Sequence, residues 1–134
     1  MTDPQLTLGV EEEYLLVDKD TRALAVEPPD ELMKECEDRL GVQVSSELLR
    51  SQIEIGTRVC QNVGEVRDEL VRLRGNIKEV ANQYGLEPIA SSTHPFSRWQ
   101  DQKHTRKERY DRLTVEMQGT ARRLLICGMH VHVG

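Results

Sequence analysis

Glu11 and Glu13, within Gly9-Val10-Glu11-Glu12-Glu13, and His130 and His132, within Met129-His130-Val131-His132-Val133, are the side chains whose types and spacing could do chemistry. Successive side chains of a strand alternate faces. Glu11 and Glu13 therefore share one face, with Val10, Glu12 and Tyr14 on the other. By the same arithmetic His130 and His132 fall together, opposite Met129, Val131 and Val133. Each pair is spaced about 7 Å along its own strand. Two carboxylates and two imidazoles are the groups a metal site uses.

Three successive glutamates between apolar flanks serve neither solvation nor sheet propensity well. An acidic strand centre costs free energy unless a cation compensates it. A hard divalent ion such as Mg²⁺, which takes oxygen ligands, is the simplest compensator; the plain alternative is a strand with one solvated face. Glu54 lies between Ile53 and Ile55, on the face away from the core, and joined across a sheet it would supply a third ligand. His-x-His on a strand also occurs in zinc and iron enzymes, which favour imidazole. A zinc or iron hydrolase using His130 and His132 therefore stays open, beside a hard-ion site in which a histidine contacts ion or substrate, and beside two core histidines among valines. Thr93-His94-Pro95-Phe96 is a polar loop directly after a strand-like segment, where binding residues often lie. No serine nucleophile elbow, Cys/His pairing or phosphate-cradling glycine loop occurs, and Cys127 reads as a buried thiol.

The elements that must position these residues are readable from periodicity and punctuation. Leu6 to Val17 reads as a long strand, turning at Asp18-Lys19-Asp20-Thr21 into a return arm over Ala23 to Val26. After Pro28-Pro29, Asp30 can cap a helix over Glu31 to Leu40 that Gly41 closes. Val42 to Leu49 and Gln52 to Thr57 read as two further strands. Asn62 with Glu65 forms a capping box for the clearest helix. Its inner face is Val63, Val66, Leu70, Leu73, Ile77, Val80, Ala81 and Tyr84, and Gly85 ends it. Its outer face, which includes Arg67, Arg72 and Arg74, reads as solvated. Leu86 to Ala90 is a fourth main strand, Arg98 to Arg109 a basic mobile segment, Tyr110 to Thr120 a helix, and Leu124 to Val133 the last strand. The fold class is α+β with a mainly antiparallel sheet and helices on one face.

With 134 residues the chain is one domain or part of one. A net charge of -5 disfavours phosphate backbones and anionic membranes as partners, and 4% aromatic content argues against base stacking. Three cysteines without a C-x-x-C pair point to free thiols in the cytoplasm. No apolar run approaches membrane-spanning length, and no secretory leader is apparent.

Gly9-Val10-Glu11-Glu12-Glu13-Tyr14, Gln52-Ile53-Glu54-Ile55-Gly56-Thr57, Thr93-His94-Pro95-Phe96 and Cys127-Gly128-Met129-His130-Val131-His132-Val133-Gly134 follow one another in an order that resembles a known family. It is the carboxylate–amine ligase branch of the type 2 glutamate–cysteine ligase family, and the resemblance covers essentially the whole chain. The resemblance implies a glutamine-synthetase-like fold. It also implies a reaction joining an amino-acid carboxylate to an amine with ATP and Mg²⁺, through an acyl phosphate. Phosphoryl transfer is mostly positioning and charge neutralisation, so clamping carboxylates are needed and a protein nucleophile is not. By similarity Glu11, Glu13 and Glu54 are metal ligands, His130 is the catalytic histidine near substrate and metals, and Thr93, His94 and His132 bind substrate. Family members are several times longer. Residues 1–134 are therefore expected to be the N-terminal portion of a single catalytic domain, either a fragment or truncated product of it or a chain completed by a homo-oligomer or a complementary chain. A half-domain without catalysis of its own, acting only by such assembly, is the alternative.

Overall fold

The computed structural model describes residues 5–105 and 125–134. In chain order the elements are β1 (Leu8–Asp18), α1 (Asp30–Leu40), β2 (Val44–Ser46), β3 (Gln52–Gly56), α2 (Val63–Gln83), β4 (Leu86–Ile89) and β5 (Met129–Val133), with short 3-10 turns at Gly41–Gln43 and Trp99–Asp101. The strand β1 is the spine. β3 pairs along one edge of it, with Glu13 opposite Glu54. β4 and β5 share the other edge end to end, β4 beside Leu15 to Asp18 and β5 beside Leu8 to Glu12. β2 adds outside β3. Every pairing is antiparallel, so the α+β class with a mainly antiparallel sheet stands as expected.

Alternation along β1 separates two layers. Val10, Tyr14 and Leu16 face α1 and α2, joining Leu32, Cys36 and Leu40 of α1 and Val66, Leu70, Leu73, Ile77, Val80 and Ala81 of α2 in the main core. Leu73, Ile77 and Val80 are fully buried, each a gain of about 1.5–3 kcal/mol over exposure. The Asn62 side chain accepts a hydrogen bond from the Glu65 N–H at 3.0 Å, and the Glu65 carboxylate accepts from the Gln61 N–H, so α2 opens in a reciprocal cap. Gly85 follows α2 at φ +71°, a left-handed turn that an L side chain resists.

On the opposite face, Leu15 and Val17 pack with Leu24, Leu49 and Leu125 in a second, smaller core. Leu15 and Val17 thus lie under apolar cover, and Glu11 and Glu13, further along the same face, do not.

Several local expectations change. The return arm over 23–26 is a single bridge, Leu24 to Val17, because Leu24 approaches on the edge of β1 that β3 already occupies from Leu15 onward. Val42 to Leu49 is a strand only over Val44–Ser46; Leu49 crosses to the second core instead. Pro29 rather than Asp30 stands at the α1 N-cap, and Asp30 begins the helix, its carboxylate bound by Arg50. Residues 98–105 are strapped to the 48–50 segment: Arg50 N–H donates to the Lys103 carbonyl and Thr105 N–H to the Leu48 carbonyl, both at 2.9 Å. The last strand begins at Met129. Leu124, residues 106–109 and the expected helix over Tyr110 to Thr120 lie outside the described residues.

The outer face of α2 is not simply wet. Arg74 reaches from α2 to Glu12 and Tyr14 on the helix-facing side of β1, and Glu69 is buried beneath Arg72 and Gln43. All three cysteines are free thiols. Among the described residues no helix is long and apolar enough to cross a membrane.

Candidate active-site face

Glu11, Glu13, Glu54, His130 and His132 come together on the open face of the sheet. Glu13 donates its backbone N–H to the Gly128 carbonyl on the β5 side. Its pairing with Glu54 across β3 is therefore of the non-hydrogen-bonded kind, in which Cα atoms approach to about 4.5 Å. Two carboxylates directly opposite repel. In the next row Glu11 stands opposite Gly56 on one side and His130 on the other, and Gly9 stands opposite His132. One oxygen of Glu11, Oε2, lies 3.4 Å from His130 Nδ1 and 3.2 Å from His132 Nε2. Both imidazoles are more than half exposed.

The other carboxylates have few donors. Glu13 Oε2 accepts the Gly128 N–H at 2.9 Å, and Glu54 Oε1 accepts the Ser45 hydroxyl at 3.3 Å. Partial burial pushes the Glu54 carboxyl above its ordinary range, helped by the charges of Glu47, Glu11 and Glu13; the Ser45 hydroxyl only partly opposes this. Among the described residues no lysine or arginine pairs with Glu11, Glu13 or Glu54.

Glu12, between Glu11 and Glu13 in sequence, meets the reverse situation. It is 6% exposed on the helix side. Burial alone would raise its carboxyl, but hydrogen bonds from Arg74 and Tyr14 outweigh that and hold it below the usual range. Arg74 Nε lies 2.9 Å from both Glu12 Oε2 and the Tyr14 hydroxyl, and the Tyr14 hydroxyl also donates to Glu12.

The open face has room for a cation. Glycines stand beside the acids at 9, 56 and 128, and a Cβ on Gly128 would sit 3.8 Å from His130 Nε2 and 3.9 Å from Glu13 Oε1. Carboxylate oxygens without a cationic partner are the donor set that hard ions prefer. As they stand, no three His, Cys, Asp or Glu side chains among the described residues are gathered tightly enough to form a metal cage. A cavity of about 500 Å³ lies instead beside the start of α1, lined by Pro29, Leu32, Lys34, Arg50 and Ile53, and neither the three acids nor the two histidines border it.

Thr93 and His94 are held apart from this group. Thr93 bridges Ile126, just ahead of Gly128, and is exposed. His94 is buried, with both ring nitrogens engaged: Nε2 lies 2.9 Å from the Arg22 carbonyl, and Nδ1 accepts the N–H of Ser97 at 3.0 Å. Phe96 stacks edge-on against its ring at 4.6 Å. The imidazole clasps the loop to the far end of β1. Burial pushes the Cys127 thiol up to about 11, so it is no nucleophile near neutral pH.

Sequence reasoning missed Glu47 and Gln52. Glu47 adds a fourth negative charge near Glu54; its signal was an acid in the short connection leading to the Glu54 strand. Gln52 carried a weaker one, an amide on the same strand face as Glu54.

The model of glutamate–cysteine ligase family 2 matches residues 7–134. A protein of Rhodospirillum rubrum bearing the provisional name glutamate–cysteine ligase 2 is 52% identical over 138 aligned positions, covering all of this chain and 36% of its own length. One of Paracoccus denitrificans with the same name is 54% identical over 132 residues, covering 98% of this chain and 35% of its own. The chain thus spans about a third of the length of the curated relatives it matches. Among solved structures, the glutamate–cysteine ligase of Francisella tularensis in complex with AMP superposes with a TM-score of 0.75 at 16% identity, over 100% of this chain and 28% of that one. The bifunctional glutathione synthetase of Pasteurella multocida gives 0.73 at 15% identity, over 96% of this chain and 17% of that one. These two likenesses establish a shared fold, and the family match establishes kinship: the chain belongs to glutamate–cysteine ligase family 2.

Proposed function

We propose that this chain forms the N-terminal wall of the active site of an ATP- and Mg²⁺-dependent carboxylate–amine ligase of the glutamate–cysteine type. The observation that carries the reading is the open acidic face. Glu11, Glu13 and Glu54 crowd together with no lysine or arginine pairing among the described residues, and Glu54 is pushed toward protonation. A cation seated against such a face would offset the repulsion between its carboxylates.

Glu11, Glu13 and Glu54 would hold Mg²⁺, which supplies neutralisation of phosphate charge when bound. In the balanced reaction the γ-phosphoryl group of ATP passes to the substrate carboxylate, giving an acyl phosphate and ADP. The amine then attacks the acyl carbon, phosphate leaves, and the amine nitrogen gives up a proton. His130, beside Glu11 on the rim, would contact the reacting groups. His132 and Thr93 would border the substrate, and His94 would hold the loop that carries Thr93. The membership of the family supports the ligase class. The donor chemistry supports a hard ion over a two-histidine zinc centre, because carboxylates outnumber imidazoles on the face.

Titration of the chain with Mn²⁺, followed by loss of the free-ion electron paramagnetic resonance signal, should show saturable binding that Glu54→Gln weakens about tenfold or more. In the native ligase, ADP release from ATP and glutamate should require an amine and fall by about 10² or more in Glu11→Gln. Mn²⁺ binding untouched by Glu54→Gln sinks the ligand set, and amine-independent turnover sinks the ligase reading.

A further inference from the structure

Gln52 sits two residues before Glu54 on the same face of β3, where the second core gives way to the acids. It is 5% exposed. Its Oε1 accepts the Leu49 N–H at 3.2 Å, and its Nε2 donates to the Ile126 carbonyl at 2.6 Å, with Cys127 Sγ at 3.7 Å. The first bond holds the 47–51 turn, which carries Glu47. The second holds the segment entering Gly128, whose N–H binds Glu13 and which leads directly into His130. One side chain therefore ties its own 47–51 turn to a segment 74 residues further along, and the two flank the carboxylates on either side.

A buried amide among Leu15, Leu49 and Cys127 costs free energy unless both its ends are bonded. A methionine would fill the same volume with no such requirement. What the amide adds is a fixed distance between the two segments. We propose that Gln52 is a positioning residue: it sets the spacing of the Glu47–Glu54 side of the acidic face against the Gly128–His130 side, and through it the affinity for a divalent cation. The inference rests on the metal reading above, and it assigns Gln52 no contact with the ion or the reacting groups.

Gln52→Met keeps the volume and removes both bonds; Gln52→Asn keeps a neutral amide but is one methylene too short to hold both partners. Two readouts are compared in each variant: hydrogen exchange of the Glu13 amide, which is bonded to the Gly128 carbonyl, and Mn²⁺ affinity of the folded chain. The expected result for Gln52→Met is Glu13 exchange about tenfold faster, with the Ile77 amide in α2 unchanged, and Mn²⁺ affinity about tenfold weaker. Gln52→Asn, which adds no charge and serves if the first variant does not fold, should fall between it and the parent. A purely structural role would lower the melting temperature and leave the Mn²⁺ affinity of folded molecules untouched. That outcome, or unchanged Glu13 exchange, overturns the inference while the metal reading stands. A parent chain that binds no Mn²⁺ overturns the metal reading and this inference together.

Discussion

Glu12 and its two neighbours are the same residue type in consecutive positions, yet the fold treats them in opposite ways. Glu12 is driven into the helix-facing layer, where Arg74 and Tyr14 complete its hydrogen bonds and hold it charged. Glu11 and Glu13 share the open layer with Glu54, where carboxylate faces carboxylate and, among the described residues, Glu11 meets two exposed imidazoles and Glu13 a backbone amide. One layer uses negative charge to pin a helix to a strand. The other gathers negative charge that no lysine or arginine among the described residues pairs with. A run of three glutamates is thus two features, divided by the pleat.

The contrast breaks most readily at Arg74. Replacing it by methionine leaves Glu12 buried without its cation and should cost about 3 kcal/mol in urea unfolding. Mn²⁺ affinity should survive, since the open layer is untouched. A loss under about 1 kcal/mol would mean that water reaches Glu12 through the exposed half of Arg74 and that the pair is worth little more than a surface one.

Glu54→Gln should act in the other direction. Without divalent ions it removes a repulsion and should raise stability by about 0.2–1 kcal/mol. A variant less stable than the parent in a chelator would show that Ser45 and Glu54 are tied too tightly for the repulsion to matter.

The smallest effect is the pH profile, and there the two layers have opposite signs. The Glu54 carboxyl is raised, so its share of stability is fully present below the unfolded value of about 4.3 and is lost as pH rises through the folded value. The Glu12 carboxyl is lowered, so its share is present above that unfolded value and is lost as pH falls through the depressed folded value. Ion-free chain should therefore gain slightly on mild acidification from neutrality before acid unfolding begins. Glu54→Gln should flatten the gain, and Glu12→Gln should soften the acid limb. A parent profile that only declines on acidification would break the assignment of opposite signs.

How much of this was readable beforehand follows from what periodicity can encode. Alternation along β1 and β5 separated Glu11, Glu13, His130 and His132 from Glu12, Met129 and the valines, and the register then brought the two pairs side by side. The α2 stripe and its cap were equally plain, because a 3.6-residue repeat and an Asn/Glu box are local properties. The exception is Val63, read as inner but exposed in the first turn, where the helix has not yet reached the sheet. Arg74 was not separable from Arg67 or Arg72, since a face says which way a side chain starts and not how far a guanidinium reaches. Glu47 and Gln52 were hidden because a turn and a strand end have no period of their own. His94 looked like a binding residue for the reason polar loops usually do. Nothing local to it revealed that Arg22, 72 positions earlier, would take its second nitrogen.

Among the described residues β5 joins the sheet through β1 alone, and the backbones of residues 128, 130, 132 and 134 are turned toward that strand. The amides and carbonyls of Met129, Val131 and Val133 consequently point away from it, along an edge with no partner strand among the described residues, and their side chains are 56–60% exposed. Such an edge is a seam. Any extended polypeptide laid along it would lengthen the sheet by about 4.8 Å, placing new side chains beside His130 and His132 while leaving the acids uncovered. Among the described residues the floor on which the carboxylates stand is therefore one strand wide beyond β1 on the imidazole side, whereas on the far side β3 and the short β2 make it two.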